Sequence, residues 1–185
     1  GEIKFNLAAG KTVADLDDTR DQLINKLSQD ISVTSFTRAD GVMVVQTAEG
    51  VQLADTTAQT VTFKPAQINA ASYYPASAAG VFVGDPAVEK TAIDITGSSP
   101  GGKLGALIDL RDATLPQQQA SLDEMAEQLA QRFDQQGLRL FTDASGNIPA
   151  DTAPNPATNP PTSVPYVGFA SAIQVNSAVE QNNAL

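Results

Sequence analysis

Between Val13 and Leu53 the hydrophobic period of this chain changes once, and sharply, from helical to strand-like. Val13, Leu16, Leu23, Ile24 and Leu27 recur at helical spacing, with Asp15, Asp17, Asp18, Arg20, Asp21 and Lys26 mostly on the rest of the wheel. The spacing predicts a helix over residues 12–29, with Thr12 as its cap and Asp15 in the first turn, where a helix dipole favours an acid. From Ile31 the pattern turns to Ile31, Val33 and Phe36, then Asp40-Gly41, then Val42, Val44 and Val45, then Glu49-Gly50, then Val51 and Leu53. Asp-Gly between β-branched runs predicts a tight type I′ hairpin, because its central residues need positive φ. A surface helix feeding a meander is a scaffold, and nothing in the stretch has the look of a reaction centre.

The same residues carry a family resemblance. Asp15-Leu16-Asp17-Asp18-Thr19-Arg20-Asp21-Gln22-Leu23, then Leu27-Ser28, then Asp40-Gly41 and Glu49-Gly50-Val51-Gln52-Leu53, resemble the family of the first flagellar hook-associated protein, the hook–filament junction protein. In that family a helix reading L-D-x-R-D runs through L-S into strands punctuated by D-G and G-x-x-L-V. Asp18 and Ala54 depart mildly from it, Val being usual at the second position. A second signature follows: Gly102-Lys103-Leu104-Gly105-Ala106-Leu107, Arg111-Asp112, Leu115-Pro116, Leu122-Asp123, Met125-Ala126 and Phe133, with Met125 for Leu and Asp134 for Asn. Asp143-Ala144-Ser145-Gly146 supplies the family's D-x-x-G turn, and Phe169-Ala170 with Ile173-Gln174-Val175-Asn176 resembles its return segment.

Further along, Val61-Thr62-Phe63-Lys64, Gly80-Val81-Phe82-Val83 and Thr91–Ile95 read as strands bounded by turn formers, so residues 31–98 should hold about six short strands. Residues 66–79 carry no assignable pattern. Residues 103–136 hold the longest helical pattern, with Leu104, Leu107, Ile108 and Leu115 in one stripe and Leu122, Met125, Ala126, Leu129 and Phe133 in another. The second stripe is expected to be buried, so that Leu129→Asp would unfold the domain. Pro116 should kink or break the helix near Thr114 or Leu115, and Gly137 should stop it. Pro149, Pro154, Pro156, Pro160, Pro161 and Pro165 make residues 147–165 read as a surface excursion whose deletion between 150 and 163 should leave folding intact.

The expected fold is α+β: a β-rich domain with one antiparallel sheet of about six short strands from residues 31–98, packed with two long helices that pair antiparallel. The expected organisation is a leading helix in 1–30, a β-rich domain in 31–99, and a long kinked helical segment in 100–137 packing with the first helix. A turn and Pro-rich loop in 138–165 and a return segment in 166–185 complete it.

Composition narrows the chemistry. With 185 residues and no Cys, His or Trp, the chain lacks thiol nucleophiles, imidazole bases and Cys/His zinc ligands, and a chain this long needs no disulfide. Its net charge of −10 repels nucleic acid and anionic membranes, and no apolar run is long enough to span a bilayer. The N-terminus has no signal-peptide core and begins mid-pattern, as in a piece cut from a longer protein.

The remaining candidates each have a simpler reading. Asp15, Asp17, Asp18 and Asp21 could bind a cation, but Arg20 neutralises Asp17 or Asp21 locally and the calcium-loop pattern is missing, so a solvated helix face is expected. Asp18-Thr19-Arg20-Asp21 and Asp109-Leu110-Arg111-Asp112 repeat D-x-R-D, expected as intrahelical ion pairs, with contact to a neighbouring subunit as the other reading. Gly101-Gly102-Lys103 lacks the upstream Gly and the following Ser/Thr of a phosphate loop. A carboxylate-dependent hydrolase would need a marked acidic pair that the sequence does not offer. No catalytic, cofactor-binding or metal site is expected, no cofactor, and no enzyme activity.

The resemblance implies a structural subunit of the bacterial flagellum at the hook–filament junction, serving motility and flagellum assembly. It implies secretion to the extracellular flagellum without a cleaved signal peptide, with other axial proteins as partners through terminal helices that this sequence lacks. This chain would be the outward-facing central part, monomeric by itself. The alternative is an exposed adhesion or carbohydrate-binding module, with Tyr73, Tyr74 and Tyr166 as sugar platforms.

Overall fold

A computed structural model describes residues 12–69, 71–87, 91–98, 100–150 and 165–181, together with Ile3, Phe5, Asn6 and Ala9. The fold is α+β, and the chain divides into two compact units: residues 1–66 with 78–111, and residues 67–77 with 112–185.

In the first unit, helix α1 (Ala14–Asp30) is followed by β1 (Val33–Thr37), β2 (Met43–Thr47) and β3 (Gln52–Ala54), then β4 (Val61–Phe63), β5 (Val81–Val83), β6 (Ile93–Asp94) and α2 (Gly102–Asp109). Among the described residues these six strands form two antiparallel three-stranded sheets, β1-β2-β3 and β4-β5-β6, where the sequence suggested one sheet. The two sheets are joined by a common core. Ile31 and Leu53 from the first side meet Val81, Val83 and Ile95 from the second, with Leu27 of α1 and Leu104 and Ile108 of α2 packed on top. Helix α1 thus packs against α2 and reaches the core through its C-terminal end, while none of its residues is fully buried. Thr12 does not cap it: the N-cap is Val13, without a side-chain bond.

Both turns of the meander repeat one device. In Arg38-Ala39-Asp40-Gly41-Val42 the Arg38 N–H donates to Val42 O and the Gly41 N–H to Arg38 O, both at 2.8 Å. In Thr47-Ala48-Glu49-Gly50-Val51 the Thr47 N–H donates to Val51 O at 2.8 Å and the Gly50 N–H to Thr47 O at 3.0 Å. Gly41 and Gly50 sit at φ +79° and +89°. These are three-residue loops that close on a left-handed glycine, so the two-residue type I′ turn expected from Asp-Gly is replaced by its three-residue relative. Asp143-Ala144-Ser145-Gly146-Asn147 repeats the bonding in the second unit, with Asp143 N–H to Asn147 O at 2.8 Å and Gly146 N–H to Asp143 O at 3.0 Å.

Pro116 is accommodated by a change of helix type. A π-helical turn, Leu110–Thr114, follows α2, and α3 (Leu115–Gln135) restarts with the proline in its first turn, where a missing N–H interrupts no α-helical bond. Helix α3 ends in a Schellman cap: Gly137 at φ +84°, its N–H on Asp134 O at 2.9 Å, and the Leu138 N–H on Phe133 O at 3.1 Å.

The second unit is built on α3. β7 (Phe141–Thr142) pairs antiparallel with β8 (Gln174–Val175), and between them in sequence lies the short helix α4 (Phe169–Ala172), with α5 (Ser177–Glu180) after β8. Its core is Ala126, Ala130 and Phe169, with Phe141, Ile148, Tyr166 and Ile173 against it. Here the expected buried stripe is corrected. Leu122, Met125 and Leu129 are exposed, at 50%, 63% and 42%, whereas Asp123, Ala126, Glu127 and Ala130 are buried. Small alanines let α4 approach α3 closely, and the longer side chains, which lie on a neighbouring stripe, are left outside that contact. Ile148, within the stretch read as an excursion, is docked on this core, while residues 151–164 lie outside the described residues.

Candidate interaction surfaces

The acidic face of α1 is an ion-pair network. Arg20 donates from Nη1 to Asp17 Oδ1 at 2.6 Å, and from Nε and Nη2 to Asp21 Oδ1 at 2.9 and 2.7 Å. The bond to Asp21, aided by the nearby Asp17 charge, holds the guanidinium above its ordinary pKa. Among the described residues no group of three or more His, Cys, Asp or Glu is placed to hold a metal ion. In the second D-x-R-D sequence Arg111 also reaches out of its helix, and Nη1 donates to Ala79 O at 2.6 Å. That bond ties the helix to the loop before β5.

Gly101-Gly102-Lys103 is a packing device. Gly102 sits at φ +58°, and a Cβ there would lie 2.8 Å from the Asp30 carbonyl carbon. Gly101 is pressed against Ser32, whose N–H donates to Pro100 O at 2.8 Å. The glycines allow the start of α2 to cross the end of α1 in contact with its backbone.

Two apolar grooves run beside α1 within the first unit. One, of about 640 Å³, lies between α1 and the first sheet, with Leu16, Leu23, Ile24, Val42 and Val45 in its wall and Arg20 and Asp55 at its polar edge. The other, of about 570 Å³, is walled by Leu27, Leu53, Val61, Leu104 and Leu107. In the second unit a smaller depression of about 330 Å³ follows the exposed stripe of α3 past Met125, Leu129 and Arg132. Leu115, Leu122, Met125 and Leu129 follow heptad spacing along that outer face.

The second unit also contains a buried carboxylate that joins segments distant in sequence. Asp123, 1% exposed, accepts the Gly168 N–H on Oδ2 at 2.7 Å and, on Oδ1, the Ala170 N–H at 2.9 Å and the Gln119 side-chain N–H at 2.8 Å. Gly168 is the N-cap of α4, at φ +84°, and has no side chain to cap with, so the carboxylate of α3 does the capping from outside. Sequence reasoning missed this residue, because an aspartate within a helix reads as solvated. The signal was available in Ala126 and Ala130, small residues on the same face.

Of the tyrosines, Tyr73 is exposed, whereas Tyr166 packs on the second core and Tyr74 is partly buried, so the three do not make a common platform. No helix among the described residues is long and apolar enough to cross a membrane.

A family model described as the flagellar hook-associated protein FlgK helical domain matches residues 1–149, which takes in α1, both three-stranded sheets and the whole of α3. No curated protein matches the chain. The chain belongs to the FlgK family of flagellar hook-associated proteins, and its role is a structural one in the flagellum.

Proposed function

We propose that this chain is the central part of a hook–filament junction subunit, with the β-rich body of residues 31–99 facing outward from the axial structure. Its partners are other axial proteins of the flagellum, reached through segments beyond this sequence, and the protein leaves the cell by the flagellar export route without a cleaved signal peptide. The observation that carries the reading is the family match over residues 1–149. It is supported by what the fold invests in: capped helices, glycine-closed loops and apolar grooves, with its side-chain bonds spent on structure. A structural, non-enzymatic role accords with this.

Antibodies raised against this chain test the reading directly. On intact flagella, immunogold should label a single narrow band where hook meets filament, without prior disruption. Labelling along the filament, or labelling only after disassembly, would overturn the position or the outward orientation respectively. By itself the chain should run as a monomer in light scattering at low and high salt, since its net charge of −10 opposes self-association. The adhesin alternative is left with Tyr73 as its exposed platform, and a glycan array without hits would remove it.

A further inference from the structure

The return segment, residues 165–181, meets the rest of the second unit through a complete set of contacts of its own. At its start, Asp123 takes the N–H groups of Gly168 and Ala170, and Phe169, 4% exposed, enters the pocket made by Ala126 and Ala130. In its middle, β8 pairs with β7 through Phe141↔Val175 and Thr142↔Gln174. At its end, the Asn176 N–H donates to Leu140 O at 2.8 Å and its Nδ2 to Arg139 O at 2.9 Å, while its Oδ1 accepts the Ala178 N–H at 3.0 Å and so caps α5. An apolar anchor, a strand pairing and two polar clamps of known register are what a protein surface offers a bound peptide.

We propose that the face of α3 and β7 around Asp123 is a docking surface for a peptide of the form Gly-aromatic-Ala followed by a short strand, and that residues 165–181 are its ligand in cis. The Asp123 carboxylate is the positioning group. It aligns the first turn of α4 so that Phe169 enters its pocket and β8 meets β7 in register. Register is then set by these contacts, so the chain can be cut ahead of the return segment without undocking it.

The test uses the whole chain with a protease recognition sequence placed between Asn155 and Pro160, cleaved after folding. Native mass spectrometry and gel filtration at micromolar concentration should find the two pieces as one species. In the cleaved Asp123→Asn protein the short piece should dissociate, with affinity lower on the order of 100-fold, as expected for losing charge-assisted bonds to two backbone donors. Before cleavage that variant should still dock, because the tether supplies the concentration. Release of the short piece from the cleaved wild type, with the larger piece still folded, overturns the proposal; equal retention in the cleaved variant overturns the role of Asp123. Amide hydrogen exchange in the uncut wild type gives a reading that needs no variant. Gly168 and Ala170 should exchange as slowly as the buried face of α3, and exchange at the rate of a free peptide would sink the idea.

Discussion

Asp123 caps the helix that follows Gly168: its Oδ2 accepts the Gly168 N–H at 2.7 Å, and its Oδ1 accepts the Ala170 N–H two residues on. A four-residue helix is too short to be stable alone, since nucleation costs more than one turn of bonds returns. Here the cap comes from a preformed neighbour, and Phe169 contributes the apolar half of the contact. Asp123→Ala would leave two part-buried backbone donors without their acceptor. The expected loss is about 3 kcal/mol in the stability of the second unit, with α4 and β8 losing exchange protection first. A denaturant midpoint equal to wild type would mean that α4 finds its cap elsewhere.

Leu129→Asp should be close to neutral. Its side chain is 42% exposed, so a carboxylate there stays in water, and surface substitutions of this kind fall within about 0.5 kcal/mol. The contrasting substitution is at the next residue, about 100° round the helix: Ala130→Leu at a 0% exposed position should cost about 1–3 kcal/mol by overpacking against Phe169. Thermal melts of the two variants side by side check the assignment of faces on α3, and the reverse order of stability would overturn it.

That pair of residues also marks how far the sequence was legible. The helical period before Ile31, the glycines that close the meander and the stop at Gly137 were all readable, because each rests on local backbone chemistry. The face that α3 buries was not. Hydrophobic periodicity weights leucine above alanine, and it selected Leu122, Met125 and Leu129, whereas closeness of approach selected Ala126 and Ala130. The pairing of strands into two sheets was likewise hidden, because the segment between β4 and β5 has no period to count. Pro116 announced a break in the helix, but not that a π-helical turn would absorb it.

Two glycines at positive φ should respond differently to alanine. Gly50, at φ +89°, has open space where a Cβ would sit, so Gly50→Ala meets only the backbone penalty of about 1 kcal/mol. Gly102, at φ +58°, would bring the same atom to 2.8 Å from the Asp30 carbonyl carbon, and backbone cannot swing aside as a side chain does. Gly102→Ala should therefore cost more, about 2–4 kcal/mol, because it adds a steric clash between α1 and α2 to the same strain. Urea midpoints measure both, and a Gly50→Ala cost equal to that of Gly102→Ala would show that the α1–α2 crossing yields easily.

Acid should remove a contribution made by Asp55. In the loop after β3 its Oδ1 accepts the Thr57 N–H at 3.1 Å and the Thr56 hydroxyl at 3.2 Å. The bond from the Thr57 N–H is the largest cause holding the carboxyl below its ordinary value of 3.8, and the Thr56 hydroxyl works in the same direction. A group whose folded pKa lies below its unfolded pKa stabilises the fold fully when pH is above both. Its contribution shrinks as pH falls through the unfolded value and is gone below the folded one. The stability difference between wild type and Asp55→Asn should accordingly be constant from about pH 7 to pH 5 and narrow below about pH 4, since the amide has no proton to gain. Urea unfolding at half-unit steps of pH follows it. A difference that stays constant down to pH 2.5 would mean that the loop keeps its bonds with the acid protonated, and that the Thr57 N–H does not discriminate between the two forms of the carboxyl.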